Sequence, residues 1–286
     1  MPPFRRVGLW RLAWLAVALA TVLFVSTAAG AASPQRIVSL APHITELLFE
    51  AGVGERIVGV TEACDTPPAA RRLPRVANHH GANIEAIVAL GPDLVLAWPA
   101  GNRAADLEQL RRLGLRVETS NPRDLRQILA EVRRFAAWAA PDAQARVVQR
   151  LTALEQRLAR LERAHPQSPR LRVFYQLGSE RLFTLSDHHF VGQALRLCGA
   201  ENLYAEAKLP APEASREAVL AARPQAILVA DPASHEVAAR GWRTAGLPAA
   251  TPIVAVDGAR LHRPTLASFD AVEALCATLE RLRSAP

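Results

Sequence analysis

The sequence predicts an α/β fold: two Rossmann-like lobes, each built on a parallel sheet, joined by one long rigid α-helix. Three observations point there. Short apolar runs alternate with helical patterns through the first half of the 286 residues. The same alternation returns in the second half. Between them, the stretch from Ala143 to Ala164 contains no glycine or proline and carries a single apolar stripe.

The first half opens with "RIVSL" (36–40), read as a strand, then "HITELLFEAG" (43–52), a helix closed by Gly52, then a strand in "RIVGV" (56–60). "NIEAIVALG" (83–91) is helical and "DLVLAW" (93–98) is a strand. "RAADLEQLRRLG" (103–114) is helical and "LRVET" (115–119) a strand. Short links between alternating strands and helices place the strands parallel, with helices on both faces. In the second half "LRVFYQLG" (171–178), "AILVA" (226–230) and "PIVAV" (252–256) read as strands, with helices near 190–199, 215–222 and 267–283. In the connector, Val147, Leu151, Leu154, Leu158 and Leu161 recur at three- and four-residue steps, and Arg146, Arg150, Arg157 and Arg160 occupy other faces. That is one amphipathic helix, on the order of 33 Å long. Two heptads are too short a run for a coiled-coil seam, so it reads as a stiff connector packed across both lobes. The expected bounds are 33–140 for the first lobe, 141–167 for the helix and 168–286 for the second lobe.

The amino-terminal segment stands apart. Arg5, Arg6 and Arg11 precede an apolar run from Leu12 to Val25, and Ala29-Gly30-Ala31 is a small-x-small cleavage pattern. Residues 1–31 therefore read as a cleaved secretory signal peptide. The run is shorter than the roughly 20 residues a spanning helix needs. No cysteine stands at the cleavage site, which argues against a lipid anchor. A soluble periplasmic protein is expected. Of the formal charge of +7, three charges are leader arginines, leaving +4. The remaining arginines are interspersed with acids along helices, so they read as solvated faces and exclude a nucleic-acid-binding patch.

Of the three cysteines, Cys64, Cys198 and Cys276, two can pair in an oxidising compartment. Three pairings are possible. Cys198 and Cys276 sit on apolar stripes of helices in the same half, which favours their pairing and leaves Cys64 free.

An internal echo links the halves. "EAIVALGPDLVLA" begins at Glu85 and "EAVLAARPQAILVA" at Glu217; a proline (Pro92, Pro224) follows seven residues after each Glu. Asn83 and Ser215 are candidate N-caps. A first-turn Glu complements the helix dipole, worth ~0.3–1 kcal/mol. As a matched pair, one per lobe, the two also suit symmetric contacts with a partner.

Catalytic grammar is missing: there is no G-x-S-x-G, P-loop, G-x-G-x-x-G after a strand or H-E-x-x-H. The chain is not expected to be an enzyme. Histidines cluster at His43, His79-His80, His188-His189, His235 and His262. Adjacent histidines on a strand point to opposite faces, so His79-His80 suits a loop before Gly81. A three-histidine metal site drawing on both lobes is one reading; polar pocket or surface histidines are the other.

The runs "RIVSLAPHITELLFEAGVGERIVGVTEACDTPPAA" and "NIEAIVALGPDLVLAWPAGN" resemble the helical-backbone metal-chelate receptors of ABC importers, the class III periplasmic binding proteins, and within them the cobalamin-binding members. "VFYQLGSERLFT", "LRLCGAENLY", "EASREAVLAARPQAILV" and "HRPTLASFDAVEALC" follow in that family's order. The resemblance implies two α/β lobes joined by a rigid helix with ligand held between them; the rigid linker itself predicts a small lobe motion on binding. The resemblance also implies that Glu85 and Glu217 dock onto permease arginines, and it supports a Cys198–Cys276 disulfide. It carries over Trp98 in "AWPAGN" and Phe183 in "LFT" as pocket walls; Arg263 is a further cleft candidate.

This sequence departs from the cobalamin-binding pattern at three places. His79 and Ala211 stand where those members have pocket tryptophans, and Ala63 where they have a tyrosine. Fewer aromatic faces weaken a pocket for a flat macrocycle. His79 or His80 is a candidate axial ligand to the metal of a bound chelate. The expected function is periplasmic capture of cobalamin or a related corrinoid and its delivery to an inner-membrane ABC importer. No resident cofactor is implied; cobalamin is the transported ligand and the receptor a monomer. Rival readings are a receptor for haem, ferric siderophore or another chelate, and a periplasmic enzyme or metal-binding scaffold.

Overall fold

The computed structural model describes residues 33–164 and 169–284; the expected leader, 1–31, lies outside them. The first half forms a six-stranded sheet of order β4-β3-β2-β1-β5-β6. Its strands are β1 (Ile37–Ser39), β2 (Ile57–Thr61), β3 (Arg75–Asn78), β4 (Gly81–Ala82), β5 (Leu94–Ala97) and β6 (Val117–Thr119). Every pairing is parallel except β3 with β4. The second half forms an all-parallel sheet of order β10-β9-β7-β8. Its strands are β7 (Leu171–Gln176), β8 (Ala200–Asn202), β9 (Ala226–Val229) and β10 (Ile253–Ala255). β5 and β9 are buried at every position, as strands covered on both faces must be.

The predicted helices are present within one to three residues of their expected ends. They are α1 (Pro42–Glu50), α2 (Ile84–Ala89), α3 (Ala104–Arg112), α5 (Pro141–Ala164), α6 (Phe190–Leu197), α7 (Arg216–Ala221) and α10 (Ser268–Ser284). Elements that the periodicity does not single out complete the lobes. They are the helices α4 (Leu125–Ala136), α8 (His235–Thr244) and α9 (Gly258–Leu261), and the short strands β3, β4 and β8. Asn83 and Ser215 cap α2 and α7 as expected, accepting from Ala86 N at 3.0 Å and Ala218 N at 3.1 Å.

α5 buries Val147, Leu151, Leu154 and Leu158 in a core cluster that runs from α1 and α4 to α6 and α10. This cluster continues from the first-half helices into the second half, so the connector is packed against both. Charges on its outer faces reinforce the packing. Arg126 and Arg133 of α4 reach Glu162 and Glu155 at 2.6 and 2.7 Å, and Arg157 reaches Asp270 and Glu273 of α10 at 2.6 and 2.7 Å. Separate clusters cover the opposite faces of the two sheets.

Cys198, at the carboxyl end of α6, is bonded to Cys276 of α10. Cys64 is free and buried, its Sγ 3.2 and 3.3 Å from the Thr45 and Thr61 hydroxyls. Among the described residues no helix is long and apolar enough to cross a membrane.

Candidate functional site

In an open α/β sheet, ligands bind beyond the carboxyl ends of the strands, where the strand order reverses. In the first sheet that switch point lies between β1 and β5, because β2 departs to one side and β5 to the other. Pro42 and His43 follow β1, and Trp98 follows β5 directly. They face the second half across a cleft of about 670 Å³, whose far wall includes Leu185, His188, His189, Phe190, Ala211, His262 and Arg263.

Trp98, carried over by the resemblance as a pocket wall, lines this cleft, and the "GN" after it explains its placement. Asn102 Oδ1 accepts from Trp98 N at 2.6 Å, while Asn102 Nδ2 donates to Leu40 O at 2.9 Å. One side chain thereby ties the loop to the end of β1. A Cβ at Gly101 would stand 2.0 Å from the indole, so only glycine leaves room for that ring. The indole Nε1 donates to Asn121 at 3.1 Å.

Arg263 lines the cleft while its charge is already engaged. Its guanidinium lies 2.6 Å from Asp65 and 3.3 Å from Glu46, both in the first half. Arg263 holds the Asp65 carboxyl below its usual range. Glu46 is raised, because burial outweighs the attraction of Arg263. Nearby, burial pushes Glu50 up to about 7 even though its carboxylate accepts from Leu266 N.

His79 does not line this cleft. It borders an adjoining hollow of about 460 Å³ that shares Pro42 and Trp98 with it and also includes Ala63, Asn102 and Asp106. His79-His80 forms the exposed turn between β3 and β4, with the rings 3.8 Å apart. Asn78 Oδ1 accepts from His80 N at 2.9 Å, a side-chain turn typical of asparagine. His80 lines neither hollow. Phe183 lines neither hollow either: its backbone bridges Leu177 and Glu213, and Arg181 stacks 5.3 Å over its ring. Ala63 and Ala211 do border the two hollows, so the positions where an aromatic is missing leave open space.

The histidines that meet at the cleft are His43, His188, His189 and His262, drawn from three distant segments. Burial holds His43 and His189 down at about 4 and lowers His262, so these three are neutral at pH 7. His262 Nε2 is 3.0 Å from the Tyr175 hydroxyl. The clustering of histidines is visible in the sequence; which of them converge is not. Among the described residues no group of three or more His, Cys, Asp or Glu is placed to hold a metal ion.

Glu85 and Glu217 are both exposed on the first turns of α2 and α7. Neither has an ion-pair partner among the described residues. Each is available at the surface, outside the cleft.

Residues 37–258 match the sequence profile of the family described as periplasmic binding protein. The chain is 37% identical over 253 residues to the vitamin B12-binding protein of Vibrio cholerae, covering 86% of this chain and 89% of that one. It is 40% identical over 220 residues to the protein of the same name from Pectobacterium carotovorum, covering 76% and 77%. Among solved structures, the periplasmic vitamin B12 binding protein of V. cholerae superposes with a TM-score of 0.78 at 35% identity, covering 88% of this chain and 99% of that one. The periplasmic heme-binding protein of Roseiflexus sp. RS-1 superposes at 0.69 with 25% identity, covering 87% and 98%.

Proposed function

The chain belongs to the periplasmic binding protein family, and on that basis we propose that it captures cobalamin or a related corrinoid between its two sheets and hands it to an inner-membrane ABC importer. The observation that carries this is the cleft at the β1/β5 switch point, walled by Trp98, in a chain 37% identical to vitamin B12-binding proteins. The ligand is cargo and no bond is made or broken; shape, one aromatic face and a few polar groups select it. Export to the periplasm by the leader and action as a monomeric, non-enzymatic receptor belong to the same reading.

Glu85 and Glu217, one on each half at equivalent helix starts, are the docking points for the permease. Calorimetry with cobalamin, cobinamide, haem and ferric chelates tests the cargo: a corrinoid binds most tightly, and the absence of any corrinoid heat sinks the reading. Glu85→Arg with Glu217→Arg abolishes uptake and leaves cobalamin affinity unchanged. Uptake that survives both reversals removes the docking role.

Haem is the second reading. Four cleft histidines and the likeness to a heme-binding structure favour it. Arg263 is already paired, but Arg123 and Lys208 also line the cleft and neither has an ion-pair partner among the described residues, so ferric chelates are kept as an arm of that calorimetry.

A further inference from the structure

Two cations face the cleft with nothing to neutralise them. Arg123, in the loop between β6 and α4, and Lys208, in the loop after β8, both line it. Among the described residues neither has an ion-pair partner, and no Asp or Glu lines the cleft, although the chain has 27 acids. The acids nearest in sequence are committed elsewhere. Asp124 is turned into the start of α4, where it accepts from Gln127 N at 2.7 Å and Gln127 Nε2 at 3.0 Å. Glu206 borders a different hollow, beside Arg172. Arg263, the third cation of the cleft, is already held by Asp65 and Glu46. His43, His189 and His262 are neutral at pH 7 and leave the balance unchanged. The cleft therefore carries uncompensated positive charge from each half of the chain.

Both loops are pinned by their backbones, which leaves the two side chains to a ligand. Arg123 N donates to Gln127 Oε1 at 3.0 Å. On either side of Lys208, Ala205 O accepts from Asp187 N and Pro210 O from Ser186 N, each at 2.9 Å. Arg123 follows Asn121 by two residues, and Asn121 holds the Trp98 indole, so one cation stands beside the aromatic wall. A cleft lined by one sign of charge concentrates ions of the other sign.

We propose that Arg123 and Lys208 form a clamp for an oxyanion group of the cargo, which in a corrinoid is the phosphodiester of the nucleotide loop. Guanidinium meets phosphate as a planar fork and ammonium as a point charge. One comes from each half, so the bound anion is held from both sides. Cobalamin carries this phosphodiester, whereas cobinamide lacks the loop that bears it. The pair therefore selects the complete corrinoid over the incomplete one, while Trp98 serves both. No bond is made or broken.

The proposal rests on the corrinoid reading above, and the test separates the two. Cyanocobalamin and dicyanocobinamide, both neutral overall, are titrated into the mature chain by calorimetry. The double variant Arg123→Gln, Lys208→Gln weakens cyanocobalamin binding about tenfold and leaves dicyanocobinamide within about twofold of the wild type. Raising the salt from about 0.05 to about 0.5 M weakens cyanocobalamin binding to the wild type and not to the double variant. Lys208 is the single lysine of the chain, so acetylation reads its access directly in the wild type, with the amino terminus as internal reference. Cyanocobalamin slows acetylation of Lys208 and dicyanocobinamide does not. Equal weakening of both corrinoids in the double variant, or no weakening of either, overturns the proposal, as does a Lys208 acetylated equally fast with and without cyanocobalamin. Haemin, whose oxyanions are two propionates, is the second arm. A wild type that binds haemin and no corrinoid, and loses it in the double variant, keeps the clamp and removes the corrinoid reading. A wild type that binds none of the three removes both.

Discussion

The Arg263 guanidinium lies 2.6 Å from Asp65, a residue 198 positions earlier, and 3.3 Å from Glu46. One side chain thus links the second half of the chain to two acids of the first. The two acids are not equivalent, since Glu46 is largely buried and Asp65 largely exposed.

That difference sets the first prediction. Arg263→Met leaves a buried carboxylate without its cation and costs roughly 2–3 kcal/mol in urea unfolding. Asp65→Asn removes only the exposed partner and costs under about 1 kcal/mol. Equal losses for the two variants would show that burial of Glu46 is not what matters.

Glu50 makes stability depend on pH. Burial raises its folded-state value to about 7, above that of the unfolded chain, so the folded protein holds the proton more tightly. Its favourable contribution is full below about pH 4.5 and is lost as pH rises through about 7. Glu50→Gln keeps the acceptor for Leu266 N and removes this dependence. Between pH 5 and 8 the wild type loses about 2 kcal/mol relative to the variant in thermal or urea unfolding. Parallel pH profiles would refute the assignment.

Aromatic area in the cleft should govern affinity for a flat ligand. Trp98→Ala weakens cobalamin binding by ~10–100-fold, the loss of a large buried aromatic anchor. Ala211→Trp fills open space on the opposite wall and tightens binding by ~3–10-fold. Calorimetry reads both. Weaker binding by Ala211→Trp would mean that the space is already needed by the ligand.

The Cys198–Cys276 bond closes a loop of 78 residues. Constraint of the unfolded chain over such a loop is worth roughly 2–4 kcal/mol. Cys276→Ser lowers stability by that amount in oxidising buffer, and the gap closes when the wild type is reduced.

Local information is well recorded in the sequence. Val147, Leu151, Leu154 and Leu158 repeat every three or four residues because one face of α5 is buried, and the repeat alone identifies that face. The all-apolar β5 and β9 and the caps Asn83 and Ser215 follow from equally local rules. α4 is harder to see, although Leu125, Ile128, Leu129, Val132 and Phe135 form its buried stripe. Pro122 and the polar residues after it break the apparent pattern. The resemblance carries over Trp98 and Phe183 alike; Trp98, fixed at a strand end, lines the cleft, while an irregular loop turns the Phe183 ring away from it.

Periodicity, capping and position within one half of the chain suffice for the two α/β halves, the connecting helix, the favoured disulfide pairing and the outward glutamates. They do not suffice for the cleft. That His43, His189 and His262 meet there while His79 borders the adjoining hollow is settled by packing, as is the reach of Arg263 back to Asp65. A periodic pattern records which face of an element is buried. The loops at the strand ends have no period, and their neighbours are chosen only when the two sheets pack through α5.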